Sequence, residues 1–318
     1  MKIDKFVLAI VGSILLAWFF PQWGSPESGI PLDLIASIGI SLIFFFYGLK
    51  LSPQEIKIGL RNWKLHILVQ ATTFLVFPLI VLAFYPFIKT ENGQTLWLAF
   101  LFLAALPSTV SSSVVMVSIA RGNIPAAIFN ASISGLIGIV VTPLWMGLFL
   151  KQTTIDFNLG EIYFKLITEI LLPVVIGIFL QRYWGHFARK YSRYLTLFDK
   201  SVILLIIFKS FSHSFENQVF SAVDILDLVL IVTAVVALFF LIYFLTFYLS
   251  RLLKFTIEDQ ITAQFCGTKK SLVHGTVFAK ILFQQSATTG IMLLPIMIFH
   301  PVQILIISFV AGKLARRK

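Results

Sequence analysis

Long apolar runs separated by short polar stretches dominate the chain. A helix needs about 17–25 mostly apolar residues to cross a bilayer. Runs of that order predict spans at residues 6–20, 32–49, 65–85, 95–120, 124–150, 162–180, 199–211, 225–249, 261–283 and 288–310. The seventh is the least apolar, because its clean stretch is short and soon meets Lys209, Ser210 and His213. The first follows Met1-Lys2-Ile3-Asp4-Lys5 and resembles a secretory leader in its charge pattern. No small-residue cleavage site follows Trp18-Phe19-Phe20-Pro21, so it is read as a span.

Composition agrees with that pattern. Of 318 residues, 58% are hydrophobic and 12% charged, against about 25% charged in a soluble domain. The net charge of +11 does not imply a nucleic-acid partner, since the cations fall mostly in short loops rather than on one polar face. The single cysteine, Cys266, excludes an internal disulfide and a cysteine-based metal cluster. Alternate loops differ in charge. One set holds Lys2, Lys5, Lys50, Lys57, Arg61, Lys64, Arg121, Arg182, Arg189, Lys190, Arg193, Lys200, Arg251, Lys254, Lys313, Arg316, Arg317 and Lys318. The other holds Lys89, Lys151, Lys165 and Lys280. Cytoplasmic loops collect Lys and Arg, so both termini are expected in the cytoplasm, in a multi-pass protein of the plasma or inner membrane. The split requires the seventh span.

Shifting the first half by about 160 residues superposes the spans, first on sixth through fifth on tenth. Five spans per half is an odd number, so the halves lie in opposite orientations, the inverted-repeat plan of secondary transporters. The expected fold is all-α and polytopic, with ten transmembrane helices in two inverted five-helix repeats, residues 1–160 and 161–318. Two spans at matching positions are interrupted. The fourth carries Leu106-Pro107-Ser108-Thr109-Val110-Ser111-Ser112-Ser113 and the ninth Cys266-Gly267-Thr268-Lys269-Lys270-Ser271. Proline removes a backbone donor and frees a carbonyl one turn earlier. Glycine and clustered serines weaken helix around it. Paired broken helices in corresponding places point to a transport site; a kinked helix with serines bonding back to their own carbonyls is the plainer alternative.

Chemistry concentrates at these breaks. Lys269 and Lys270 stand in an apolar run with no carboxylate to offset them, and a lysine at the bilayer centre costs roughly 2.5–3.5 kcal/mol on insertion scales. Half-helix N-termini near Ser111 and Ser271 offer N–H groups, and ends near Leu106 and Gly267 offer carbonyls. Donors and lysines suit an anion; carbonyls and hydroxyls suit a cation. The candidate binding set is Ser111, Ser112, Ser113, Asn130, Ser134, Thr268, Lys269, Lys270 and Ser271. Neighbouring lysines on a helix point about 100° apart, so one is expected to face the site while the other caps half-helix carbonyls or snorkels. His300, beside Pro301, is a candidate proton relay or a packing histidine, and His274 has the same two readings. Lys209 is expected to snorkel, and Glu169 to pair with Lys165 four residues earlier.

The segments Leu106-Pro107-Ser108-Thr109-Val110-Ser111-Ser112-Ser113-Val114-Val115, Ala120-Arg121-Gly122-Asn123 and Phe129-Asn130-Ala131 resemble the sodium/bile acid symporter superfamily. They are similar to its divergent branch that includes the seventh human bile-acid carrier homologue and bacterial relatives. So are Phe265-Cys266-Gly267-Thr268-Lys269-Lys270-Ser271 and Phe299-His300-Pro301-Val302-Gln303. The resemblance implies a core domain of spans three to five and eight to ten, a panel domain of spans one, two, six and seven, crossing broken helices four and nine, and solute uptake by alternating access. Sodium-coupled members place a glutamate in the ninth span, followed by Gly-x-Gln-Asn. Aligning that glycine with Gly267 puts Phe265 at the glutamate, Lys269 at the glutamine and Lys270 at the asparagine. The serine-asparagine pair of span four falls on Ser112 and Ser113, with a one-residue insertion before Arg121. The hydroxyl ligands of span five fall on Ala127 and Ala131, near Asn130 and Ser134. The third-span glutamine falls on Thr73, with Gln70 one turn away.

The expected function is secondary-active transport of a small anionic organic solute, with a lysine in place of a bound cation and coupling to protons or none rather than conventionally to sodium. The alternative is a non-transporting membrane regulator that keeps the fold. Neither Gly-x-Ser-x-Gly, His-Glu-x-x-His nor paired intramembrane aspartates occur, so an enzyme is not expected. Nor is a cofactor, a resident metal or a nucleic-acid partner. The expected partners are the solute, H+ or Na+, and the lipid bilayer.

Overall fold

A computed structural model describes residues 5–24, 28–51, 62–109, 111–150, 159–218, 225–283 and 286–317. Every regular element among them is helical. In chain order the α-helices are α1 (Lys5–Phe19), α2 (Leu32–Lys50), α3 (Trp63–Ala71), α4 (Phe77–Ala83), α5 (Glu91–Ala105), α6 (Ser111–Ile119), α7 (Ile124–Leu150), α8 (Leu159–Leu166), α9 (Leu172–Lys190), α10 (Ser192–Glu216), α11 (Ile225–Leu252), α12 (Ile257–Gly267), α13 (Leu272–Leu282) and α14 (Thr289–Leu314). A π-turn, Thr72–Val76, joins α3 to α4, and another, Ile167–Leu171, joins α8 to α9.

Among the described residues, six stretches are long and apolar enough to cross a membrane: Leu32–Lys50, Trp63–Phe87, Ile124–Leu150, Gly160–Lys190, Ile225–Leu252 and Thr289–Leu314. Their outward faces carry large exposed apolar side chains such as Leu34, Leu148, Phe179, Leu226 and Phe309. Apolar surface on this scale belongs against lipid. The protein is a polytopic helical membrane protein.

The helices fall into two compact units. The first contains α1, α2, α8, α9, α10, α13 from Gly275 and the start of α14 up to Leu293. Its centre is the crossing of α2 and α9, where two glycines let the backbones meet. A Cβ on Gly48 would strike the Val174 carbonyl and come 3.1 Å from Gly177 Cα; one on Gly177 would strike the Phe45 carbonyl. Small residues permit this approach in membrane helices. Gly48→Val is expected to destabilise the protein by at least the about 1–3 kcal/mol typical of overpacking, since the obstacle is backbone. A thermal unfolding midpoint no lower than wild type would refute this.

Polar groups within the first unit find each other. Lys209 on α10 forms an ion pair with Asp33 in the first turn of α2. Glu169 sits in the π-turn. Its Oε1 accepts from Ser37 at 3.3 Å, and its Oε2 lies 3.6 Å from Lys280 Nζ. Lys280 Nζ also donates to Ser37. The position of Lys280 corrects the sequence reading, which counted it among loop cations. It belongs to α13, its side chain is 8% exposed, and a buried ammonium requires a partner of this kind. Lys2, Lys57, Arg61, Lys151 and Lys318 of the loop-charge argument lie outside the described residues.

The second unit contains α3–α7, α11, α12, the start of α13 and α14 from Leu294. Thr90 caps α5 by accepting from Gly93 N, and Thr256 caps α12 by accepting from Asp259 N. A hydroxyl accepting from the first turn satisfies an N–H that the helix cannot. The start of α12 is clasped further. Asp259 accepts from Asn62 at 2.6 Å and from Asn123 at 2.8 Å. These bonds fix where α12 begins, and hence where it stops in the interior.

Candidate functional site

Both interruptions lie inside the second unit. α5 ends at Ala105, where Leu106 turns extended (φ −69°, ψ 149°), and α6 begins at Ser111. α12 ends at Gly267 and α13 begins at Leu272. Each break is narrower than the sequence reading proposed. Ser111, Ser112 and Ser113 belong to the first turn of α6, a position serine tolerates well, and Cys266 and Gly267 belong to the last turn of α12. The Ser111 side chain and Val110 lie outside the described residues.

The breaks touch. Ser108 Oγ donates to the Cys266 carbonyl at 2.6 Å, and Ser271 N donates to the Pro107 carbonyl at 2.9 Å. Ser134 on α7 accepts from Ser108 N at 2.9 Å. Gly138, one turn further along α7, leaves room for the Pro107 ring; a Cβ there would come within 2.9 Å of it. Ser134 thus secures the backbone of the first break.

Broken helices and prolines leave carbonyls without partners, and here they can be traced one by one. In the π-turn, Phe77 N bonds to the Thr72 carbonyl. The Thr73 carbonyl thereby loses its usual donor, and the next candidate, Pro78, has no N–H. Pro78 also frees the Phe74 carbonyl, which Trp145 Nε1 takes at 2.8 Å. At the end of α5, Thr142 Oγ1 takes the Ala105 carbonyl at 2.8 Å. The carbonyls of Thr73, Ala104 and Leu106 go to one group, Lys270 Nζ, at 2.7, 2.6 and 2.8 Å. An ammonium has three donors, and all three are used. The Phe77 ring lies 4.1 Å from the same nitrogen, a distance at which the ring face attracts a cation. Lys270 is fully buried.

Gln303 on α14 holds the lysine's backbone. Its Oε1 accepts from Lys270 N and its Nε2 donates to Lys270 O, both at 2.8 Å. Nothing in the sequence singles out this role, since a lone glutamine in an apolar helix does not name its partner.

Lys269 is equally buried but differently held. Its Nζ donates to the Ser112 carbonyl at 2.8 Å and, more weakly, to Ser112 Oγ at 3.4 Å. Thr109 Oγ1 shares hydrogen bonds with Ser112 Oγ at 2.8 Å and Ser113 Oγ at 2.9 Å. One cluster therefore gathers Lys269, Ser112, Ser113 and Thr109 at the N-terminus of α6, the positive end of its dipole. Asn130 belongs to another group. Its side chain donates to the Ala126 carbonyl at 2.9 Å, and both its oxygens accept from Gln70 Nε2, at 3.1 and 3.2 Å.

The remaining candidates have local partners. Thr268 Oγ1 bonds back to the Gln264 carbonyl at 2.6 Å. Ser271 Oγ pairs with His274 Nδ1 at 2.9 Å and accepts from His274 N at 3.3 Å, which caps α13. His300 Nδ1 lies 3.1 Å from Gln303 Nε2, so this histidine abuts the bracket that holds Lys270.

Comparison with known proteins places this chain in a family. The model of the SBF-like CPA transporter family matches residues 4–316. The chain belongs to that family. Among the relatives of this SBF-like protein, the Pseudomonas aeruginosa protein PA2026 is 39% identical over 99% of this chain and 94% of its own. An Escherichia coli protein named as a candidate symporter, YfeH, is 33% identical over 99% of this chain and 94% of its own. Sodium/bile acid cotransporter 7-B of Xenopus laevis is 32% identical over 100% of this chain and 95% of its own. The SBF-like family is one of transporters, not enzymes, and the apolar helices of this chain make it a multi-pass membrane protein.

Proposed function

We propose that this SBF-like protein moves a small anionic organic solute by alternating access, with the Lys270 ammonium permanently filling a cation site. The observation that carries the reading is the set of three backbone carbonyls on Lys270 Nζ. Converging carbonyls at a broken helix are the environment that transporters offer a coupling ion. A charge already there opposes a second cation by roughly 4 kcal/mol at 4 Å and an effective dielectric near 20. The word sodium in the names of the cotransporter relatives therefore does not carry over to this chain. Its coupling is to protons or absent.

The two lysines divide the work. Lys270 has no donor left. Lys269, whose bonds among the described residues both go to Ser112, retains donor capacity beside the α6 N-terminus and the Ser112, Ser113 and Thr109 hydroxyls. That combination suits a carboxylate or similar anion. Asn130 and Ser134 are read as supports, and His300 as a positioning neighbour of Gln303 ahead of a proton relay. The finer architecture is part of the same proposal: ten spans, two inverted repeats, a core and a panel. The parallel Thr caps on α5 and α12, and the paired breaks that follow them, support the repeat. The two compact units support the core and panel in part. Spans one, two, six and seven group together, but α13 from Gly275 and α14 up to Leu293 go with them rather than with the rest of the core. Both termini are placed in the cytoplasm.

Lys269→Met is expected to abolish solute flux in proteoliposomes while the protein still inserts and folds. Unchanged flux would remove Lys269 from the mechanism. Uptake that depends strictly on sodium, with sodium bound by the lysine-intact protein, would overturn the cation assignment.

A further inference from the structure

The end of α9 and the start of α10 form a corner unlike the rest of the first unit. Between Glu169 and Asp199 the chain has four cations, Arg182, Arg189, Lys190 and Arg193, and no carboxylate. All four are exposed. Aromatic rings share the surface: Tyr183, Trp184 and Tyr194 are 63%, 56% and 68% exposed. The corner is anchored from behind. Ala188 and Leu195 are buried against Leu49, with Phe45, Phe46 and Leu180 packed on them. Tyr191 (φ −99°, ψ 16°) ends α9, and α10 starts one residue later. The exposed groups are thus held on a built surface.

Their depth follows from the helix. Exposed Leu172, Ile176 and Phe179 give α9 a lipid-facing stripe. Exposed Phe187 carries that stripe to the end of α9. At 1.5 Å per residue, Lys190 lies about 4.5 Å beyond it, within the polar layer that makes up the about 5–7 Å outside the hydrocarbon on each side. Arg182, about 7.5 Å short of Phe187, reaches that layer by snorkelling. Past the corner, exposed Leu197 returns the surface to apolar character. Tyr and Trp favour this interface, and Arg and Lys next to a span attract anionic lipid.

We infer that the α9–α10 corner is a binding site for the headgroup phosphate of an anionic phospholipid. The phosphate sits among Arg182, Arg189, Lys190 and Arg193, and the aromatic rings hold the corner at headgroup depth. The claim is independent of the solute and of the lysine site.

The full chain, purified in detergent, is to be passed into nanodiscs of mixed phosphatidylcholine and phosphatidylglycerol, and the lipid held after detergent re-extraction measured by native mass spectrometry. Wild type is expected to retain phosphatidylglycerol in excess of its share in the bilayer, and the excess is to shrink as NaCl rises. The variant with all four cations replaced by Gln is expected to lose about tenfold of that enrichment, while the Lys-for-Arg variant at 182, 189 and 193 keeps most of it. Enrichment unmoved by salt, or absent in wild type, would overturn the site. So would inorganic phosphate displacing the lipid at equal concentration, since the site would then select a free ion. The salt series on wild type decides the matter even where the four-fold variant does not fold.

Discussion

Lys270→Met is expected to lower the thermal unfolding midpoint by more than any other single substitution in the second unit. The methionine fills the tail of the lysine cavity but supplies no donor. The carbonyls of Thr73, Ala104 and Leu106, now at 2.6–2.8 Å from Nζ, would face an apolar group. A buried polar group stripped of its partner costs about 1–3 kcal/mol, so the three together approach a protein's whole stability of about 5–15 kcal/mol. Relief of the buried ammonium offsets part of that cost. A smaller side chain refines the test. Lys270→Ala leaves space lined by three carbonyls and no charge, which is what a monovalent cation requires. That variant is expected to be stabilised by NaCl and not by N-methylglucamine chloride at the same ionic strength, whereas wild type responds alike to both. Equal responses in wild type and variant would show that the carbonyls hold Lys270 without constituting a cation site.

Glu169→Ala is expected to be the most damaging polar substitution in the first unit. It removes the carboxylate 3.6 Å from Lys280 and the acceptor used by Ser37. With side chains 8% and 20% exposed, the pair is largely out of water, and breaking a buried pair from one side typically costs about 3–5 kcal/mol because the other charge is stranded. The double variant Glu169→Leu with Lys280→Met removes both charges while keeping bulk, and is expected to recover most or all of the lost stability. Equilibrium unfolding of the single and double variants in one detergent measures this. A double variant no better than Glu169→Ala would mean that the pair specifies the fold beyond its charge balance.

The two interruptions are legible in the sequence because proline, glycine and clustered serines have local effects that need no tertiary information. Their limits are less so. Ser111, Ser112 and Ser113 read as part of a break, yet serine suits the first turn of a helix as well as a loop. The π-turn at Thr72–Val76 gives no signal of its own, although Pro78 announces that a carbonyl nearby must find another donor. Which lysine does what was beyond reach, since 100° of helix rotation separates two directions without saying what stands in either. Lys280 was misplaced for a related reason: near the end of a span, a cation turned into the protein and one turned to the loop read alike. Gln303 and Glu169 share the difficulty. Their partners lie 33 and 111 residues away in sequence, and polarity alone carries no address.

Pro78 is far from Lys270 in sequence, yet its missing N–H helps decide where Lys270 rests. An ion that is a covalent part of the chain cannot dissociate, be competed away or fall short when the medium is dilute. A carrier built this way would cycle at the same pace in fresh water as in brine, with its gradient sensing left to other groups.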